Sequence, residues 1–386
     1  MRLRNRPNGQ VPPARPCVIV CLMSRVVRVL LPWLAVLAFG YLCLGLLIPN
    51  TLALSLDPNF ITGFARGLFI RNTGSIRVPD GFGVAVFAQG LYHPTALALG
   101  PDGLLYAAQL SGEIVALDGA TSKVYAAGFS APLGLTWHDG ALYVSSRNTV
   151  SVLENGVRRD IITGLPASRH QTDHLQFGRD GRLYIGQGSR SDHGELVCIA
   201  PLEGTVLVAD ARGSNLRVFA RGLRNPYGLA VHPETGDLFA TDNGKDVPGD
   251  GVPDELNRMV DGGNYGWPDC YGQGKGANCA GTIFPLAEFQ EHSSADGMAF
   301  YTGSNFPADY RDNIFVALYG SNSGDPYVGR RVERVVLEQT ATGYRASVST
   351  FATGFDHPLD VVVGQDGALY VADFGSGRVY RIAWGS

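Results

Sequence analysis

Arg179-Asp180-Gly181-Arg182-Leu183-Tyr184-Ile185 is the stretch whose pattern sets the architecture. Asp-Gly suits a turn that needs positive φ, and the alternating apolar run after it has the period of a half-buried strand. The same phrase returns as Pro-Asp-Gly-Leu-Leu-Tyr at Asp102, His-Asp-Gly-Ala-Leu-Tyr at Asp139 and Gln-Asp-Gly-Ala-Leu-Tyr at Asp366. Thr-Gly-Asp-Leu-Phe at Asp237 and Arg-Asp-Asn-Ile-Phe at Asp312 are weaker copies. Successive copies stand 37, 41, 57, 75 and 54 residues apart.

Outward from each turn lie further strand phrases. His93-Pro94-Thr95-Ala96-Leu97-Ala98 and His357-Pro358-Leu359-Asp360-Val361-Val362 precede turns, and Gly377-Arg378-Val379-Tyr380-Arg381-Ile382 follows one. Turn-linked strands repeating at this spacing predict the blades of a β-propeller, and six copies predict six blades. Residues 57–386 number 330, or 55 for each of six blades. The 50 glycines fit many tight turns, and no long amphipathic 3.6-residue pattern occurs beyond the leader. Six copies argue against the competing all-β reading, a sandwich. The expected fold class is all-β: a six-bladed propeller at 57–386, preceded by a basic leader (1–28) and a transmembrane or signal-anchor helix (29–56).

That anchor rests on charge. Residues 1–56 hold six arginines, at positions 2, 4, 6, 15, 25 and 28, and no acid; Leu30–Ile48 is almost wholly apolar. Such a stretch is long enough to span a bilayer, and the arginines on its N-terminal side place the folded part outside the cytoplasm. A cleaved signal peptide, with Thr51-Leu52-Ala53 as its cleavage site, is the alternative. Met23 is a second candidate start. The formal net charge is −4 and the leader supplies +6, which leaves −10 for the rest, so no nucleic-acid footprint is present. Outside the cytoplasm, Cys270 and Cys279 are positioned to close an eight-residue loop as a disulfide, with Cys198 left as a buried thiol.

The segment 224–268 carries the chemistry. It reads Arg224-Asn225-Pro226-Tyr227-Gly228-Leu229, then Asp254-Glu255-Leu256-Asn257, and closes Gly262-Gly263-Asn264-Tyr265-Gly266-Trp267-Pro268. A guanidinium and an amide in one turn can hold a planar polyanion through forked hydrogen bonds, and the acids that follow are hard oxygen ligands of the kind calcium prefers. This block resembles the glucose/sorbosone dehydrogenase family, whose characterised members are six-bladed propellers using pyrroloquinoline quinone (PQQ) and calcium. The resemblance spans about 76–384 and is strongest over 165–270. It implies oxidation of an aldose or related sugar, with electrons passed to an external acceptor.

Residue by residue, the resemblance implies His170 as the base that takes the proton from the sugar hydroxyl, with Gln171 matching beside it. A base with a pKa near neutral suits that step. Arg169 stands where the soluble glucose-oxidising members keep an orienting acid, and Asp173 is the candidate replacement; His174 is a further candidate near the site. Arg224 and Asn225 align with the quinone-contacting pair. Gly244, Asp254, Glu255 and Tyr265 are the calcium candidates, and the insertion 245–253 adds Asp246 and Asp250 nearby. His292-Ser293-Ser294-Ala295-Asp296-Gly297 reads as a channel-facing loop. Where the family draws a lysine and two arginines from its last blades, this chain has Leu318-Tyr319-Gly320-Ser321 and Asp356-His357-Pro358-Leu359. That departure keeps open a propeller that binds a sugar or a protein without cofactor. A calcium-dependent lactonase, with a cation on the central axis, is the other alternative. Gly186-Gln187-Gly188 follows a strand with no helical pattern after it, so no nucleotide fold is implied.

Overall fold

The computed structural model describes residues 76–385 except 120, 196–200, 246, 248 and 322–327. The expected anchor, Cys198 and Asp246 therefore lie outside the described residues. Among those described, no helix is long and apolar enough to cross a membrane.

The described residues form one two-stranded hairpin and six four-stranded antiparallel sheets. Their first strands are Pro94–Leu99, Gly134–His138, Thr172–Phe177, Leu229–Val231, Ala295–Phe300 and Pro358–Val363, which open blades 1 to 6. Each first strand packs against those of both neighbouring blades, so the six close a ring around a central axis. Blade 6 is completed by Phe82–Gln89 pairing with Arg378–Trp384, which joins the two ends of the propeller. Without that pairing the ring would keep an open edge.

All six copies of the repeat occupy one structural place, the turn between the first and second strands of a blade. The reason is local. Asp180 accepts hydrogen bonds from the Arg182 N–H (3.1 Å) and the Tyr184 hydroxyl (3.0 Å). Asp102 and Asp366 hold Tyr106 and Tyr370 in the same way. Gly181 and Gly367 take φ of 71° and 74°, and in the weak copy Asp312 itself takes 58°. The second strands are more buried than an alternating run predicts: Leu183–Gln187 is buried at every position. Both faces of each blade pack against a neighbour, so both sets of side chains leave water. Between blades 5 and 6, for example, Phe315, Val332, Phe351, Leu369 and Ile382 form one apolar cluster.

Blade 4 carries the departure from regularity. Its third strand, Asp254–Arg258, is followed by 28 residues before its fourth, Ala287–Phe289, and these include the hairpin Cys270–Tyr271/Lys275–Gly276. The insertion runs beside the outer strand of blade 3. Arg221 N–H donates to Gly263 O (3.0 Å) and Tyr265 N–H donates to Arg221 O (2.9 Å). Cys270 and Cys279 are disulfide-bonded, the pairing expected from the sequence.

Candidate functional site

Strand direction alternates within a blade, so the six repeat turns lie at one end of the molecule. The loops between second and third strands, and those leading into each first strand, meet at the other. His170 ends the loop entering blade 3, and Arg224 and Asn225 lie in the loop entering blade 4. Together with Arg169, Asn243, Gly244, Asp254, His292, Ser294 and Gly320 they line one recess. Residues as far apart in the chain as Arg169 and Gly320 thus converge because blades 3, 4 and 5 are adjacent.

His170 is held through Nδ1, 2.7 Å from the Ser189 carbonyl oxygen. A carbonyl only accepts, so Nδ1 carries the proton and Nε2 keeps its lone pair. Burial and the Arg224 guanidinium push its pKa down to about 4, so the ring is neutral near pH 7. Nε2 lies 3.8 Å from Asp192, which also meets Arg169 (3.2 Å), His193 (3.5 Å) and the Arg224 guanidinium. The carboxylate that joins these groups is Asp192, from the loop between the second and third strands of blade 3. Asp173 does not take that role. It is buried, with Oδ2 lacking a hydrogen-bond partner among the described residues.

The Arg224-Asn225 turn is fastened from below. Asp242, the last residue of the second strand of blade 4, accepts from the Arg224 N–H (3.1 Å) and the Asn225 N–H (2.7 Å). The guanidinium donates to the backbone oxygens of Asp192 (2.9 Å) and Asn243 (3.1 Å). Asn225 Oδ1 is buried with no hydrogen-bond partner among the described residues. Gly188 makes the approach possible: a Cβ there would stand 2.4 Å from His170 Cβ and 2.7 Å from Asn225 Oδ1. The Gly186-Gln187-Gly188 run thus serves close packing.

The four calcium candidates divide. Gly244, Glu255 and Tyr265 line a small recess with Asp242, Asn243, Lys245 and Cys270, and Arg224 separates it from the larger one. Asp254 faces the opposite way, because successive strand residues point to opposite sides. It accepts from the Gly244 N–H (2.8 Å) and the Ser293 hydroxyl (2.9 Å). Glu255 accepts from the Gly272 N–H (2.6 Å), and burial raises its pKa to about 7. The blade 4 insertion brings Tyr265 to this recess, with the Tyr265 hydroxyl turned away to donate to the Arg258 carbonyl (2.6 Å).

Other candidates lie elsewhere. Gln171 is turned to the neighbouring blade, where its amide donates to the Ala131 carbonyl (2.9 Å). His174 is buried on the axis, 3.6 Å from Asp360, and burial lowers its pKa to about 4. The carboxyls of Asp173, Asp296 and Asp360 near that axis are fully buried, and desolvation raises the pKa of each. They do not converge on one point: among the described residues, the one set of three ligand atoms within 4.8 Å of one another belongs to Asp250, Glu291 and His292. One basic side chain from the last blades lies next to a residue of the larger recess. Arg330 is 6% exposed and its Nε has no hydrogen-bond partner among the described residues. Its stem abuts Gly320, a residue of the larger recess: a Cβ on Gly320 would meet Arg330 Cγ at 2.9 Å.

Asp192 and Asp242 escaped the sequence reading. For Asp242 a signal existed in the repeat. The fifth residue of the second strand is Gln109, Gln187, Asp242 or Asp373 in four blades. All four fasten the loop entering their own blade: Gln109 accepts from the Tyr92 N–H, Gln187 donates to the Pro166 carbonyl, Asp242 accepts from the Asn225 N–H, and Asp373 from the N–H groups of Asp356 and His357.

The profile of the Glucose / Sorbosone dehydrogenase family matches residues 159–381, more than half of the chain, and the chain belongs to that family. It is 25% identical over 245 residues to the aldose sugar dehydrogenase YliI of Escherichia coli K12, a match covering 57% of this chain and 61% of that one. Among solved structures it is similar to a Thermus thermophilus protein named as a candidate oxidoreductase (glucose dehydrogenase). That likeness has a TM-score of 0.63 and 29% identity over 78% of this chain and 100% of that one. The PQQ-bound aldose sugar dehydrogenase of Streptomyces coelicolor shares the fold, with a TM-score of 0.62 and 22% identity over 80% of this chain and 99% of that one.

Proposed function

We propose that this propeller oxidises the hydroxyl of an aldose or related sugar in the recess lined by His170, Arg224 and Asn225, using PQQ and calcium. The observation that carries the reading is the state of His170: a neutral imidazole tied at Nδ1, with Nε2 left basic, in the lining of a recess that Arg169 and Arg224 also border.

The residues present suit a planar polyanion. Arg169 and Arg224 border the recess, and Arg330, packed against Gly320 of its lining, has a buried Nε–H without a hydrogen-bond partner among the described residues. A buried N–H left without a partner costs on the order of 1–3 kcal/mol, which an anion at that place would recover. Arg224 and Asn225 would hold the quinone, and Arg330, packed against Gly320, would supply part of the basic set missing at 318–321 and 356–359. The smaller recess supplies hard oxygens from Glu255, Asp242 and the backbone near Gly244 and Tyr265, with Asn243 Oδ1 lacking a hydrogen-bond partner among the described residues. That donor set suits calcium. When bound, PQQ supplies the two-electron acceptor.

The chain's own groups do the rest. His170 Nε2 takes the proton of the sugar hydroxyl as hydride leaves the same carbon. Asp192 balances the charge that the imidazole gains. The Ser189 carbonyl holds the proton already on Nδ1, so the ring cannot turn its protonated side to substrate. Electrons then leave to an external acceptor, and the anchor at 29–56 would hold the domain on the outer side of a membrane.

Calorimetric titration of PQQ into the purified protein, with calcium and with chelator, tests the reading. Calcium-dependent binding that Arg330→Ala weakens supports it. Absence of binding at any calcium level overturns it in favour of a cofactor-free binding propeller, which the engagement of Arg224 by Asp192 also favours.

A further inference from the structure

Asp250, Glu291 and His292 are brought together by two loops of the site face. Asp250 belongs to the segment between the second and third strands of blade 4, and Glu291 and His292 to the connection into blade 5. One ligand atom of each lies within 4.8 Å of the others. Neither segment contributes to the repeat, and Glu255, the calcium carboxylate of the proposed function, belongs to a different recess.

The chemistry of the three is specific. Asp250 Oδ1 accepts from the Val252 N–H (3.1 Å), which fixes the carboxylate and leaves Oδ2. Asp250 Oδ2 and Glu291 Oε2 are both closed off from solvent and accept no hydrogen bond among the described residues. The Lys245 ammonium stands 3.4 Å from Asp250 Oδ2, so one positive charge faces two carboxylates. Buried carboxylate oxygens lacking hydrogen bonds call for a cation at closer range than that. An imidazole beside two carboxylates discriminates among cations. Calcium takes oxygen ligands almost exclusively, whereas zinc accepts mixed nitrogen and oxygen sets with three protein ligands and an open position for water.

We propose that Asp250, Glu291 and His292 bind a divalent transition-metal ion of the zinc class, distinct from the calcium recess at Glu255. The ion would tie the blade 4 loop to the connection entering blade 5. His292 also lines the recess of His170, so the ion would fix one wall of that recess. Lys245 acts as the counter-charge when the ion is absent and opposes its binding.

The test is a calorimetric titration of zinc into the full-length protein after metal stripping, with manganese and calcium in parallel. One equivalent of zinc is expected, with weaker manganese binding in keeping with the usual order of divalent affinities. Asp250→Asn and Glu291→Gln should each weaken zinc binding at least tenfold, and Glu255→Gln should leave it unchanged. Thermal melts in chelator check that the variants fold, and added zinc should raise the melting temperature of the wild type, Glu255→Gln and Lys245→Met more than that of Asp250→Asn or Glu291→Gln. Lys245→Met should tighten binding. Absence of stoichiometric zinc uptake, wild-type affinity in Asp250→Asn and Glu291→Gln, or loss only in Glu255→Gln would each overturn the assignment. The readout is independent of PQQ and of turnover, so it stands apart from the outcome of the quinone titration.

Discussion

His170 Nδ1 lies 2.7 Å from the carbonyl oxygen of Ser189. This contact selects one tautomer and leaves Nε2 as the basic atom. Replacing His170 by Ala should reduce turnover by about 10²–10⁴-fold, the usual contribution of a positioned general base, while PQQ binding persists. Steady-state kinetics beside a binding titration would separate the two effects, and unaltered turnover would sink the assigned base.

The pH profile follows from the same ring. Its pKa is lowered to about 4, and Nε2 must be unprotonated to accept a proton. The acidic limb of the rate should therefore fall as pH drops through about 4, well below the 6.5 of a free histidine. A limb near 6.5 in the free protein would contradict the buried, guanidinium-flanked ring.

Asp242 fastens the backbone of the Arg224-Asn225 turn and also lines the smaller recess. Asp242→Ala would leave the Arg224 and Asn225 N–H groups unsatisfied in the interior, at a cost of about 1–3 kcal/mol each. Urea denaturation should show the loss, and PQQ affinity should fall with it. A variant of wild-type stability would mean that water replaces the carboxylate.

Stability should decline as the solution is made alkaline. Burial raises the pKa of Asp360 to about 8, against an unfolded value near 4. The folded state keeps the proton over that interval, so this group favours folding below about pH 4 and its contribution is lost as pH rises to about 8. Asp173 and Asp296 shift in the same direction by desolvation. Asp360→Asn, which cannot ionise, should flatten the dependence of melting temperature on pH across that range.

The Cys270–Cys279 disulfide closes a short loop whose Gly272 N–H donates to Glu255. Replacing both cysteines by Ala should lower stability by about 2–3 kcal/mol on the loop-entropy scale. The larger consequence should be local: calcium-dependent stabilisation should weaken because Glu255 loses a fixed neighbour. Equal calcium stabilisation in both proteins would show that the hairpin keeps its place without the bond.

How much of this was legible in the chain depends on the range of the interaction. The repeat was readable because its cause is local: Asp180, Arg182 and Tyr184 satisfy one another within five residues, and Asp366 does the same with Ala368 and Tyr370. Copies of a self-contained turn leave copies of one phrase. The blade count follows from it, whereas Arg224 and Asn225 were singled out by their residue types and the family resemblance. What only the tertiary structure decided are contacts between blades. Asp192, in a loop with no repeat register, meets His170 across 22 residues and Arg224 across 32. Gln171 matched its family position, yet its amide bonds to Ala131 of the blade before it. Asp254 and Glu255 are neighbours in the chain and face different recesses, because a strand alternates its side chains. Arg330 regains a place beside Gly320 that no sequence register predicted. Local hydrogen bonds and hydrophobic period are written in consecutive residues. The partners of a recess residue are chosen by how the ring closes, and that closure joins strands from opposite ends of the chain.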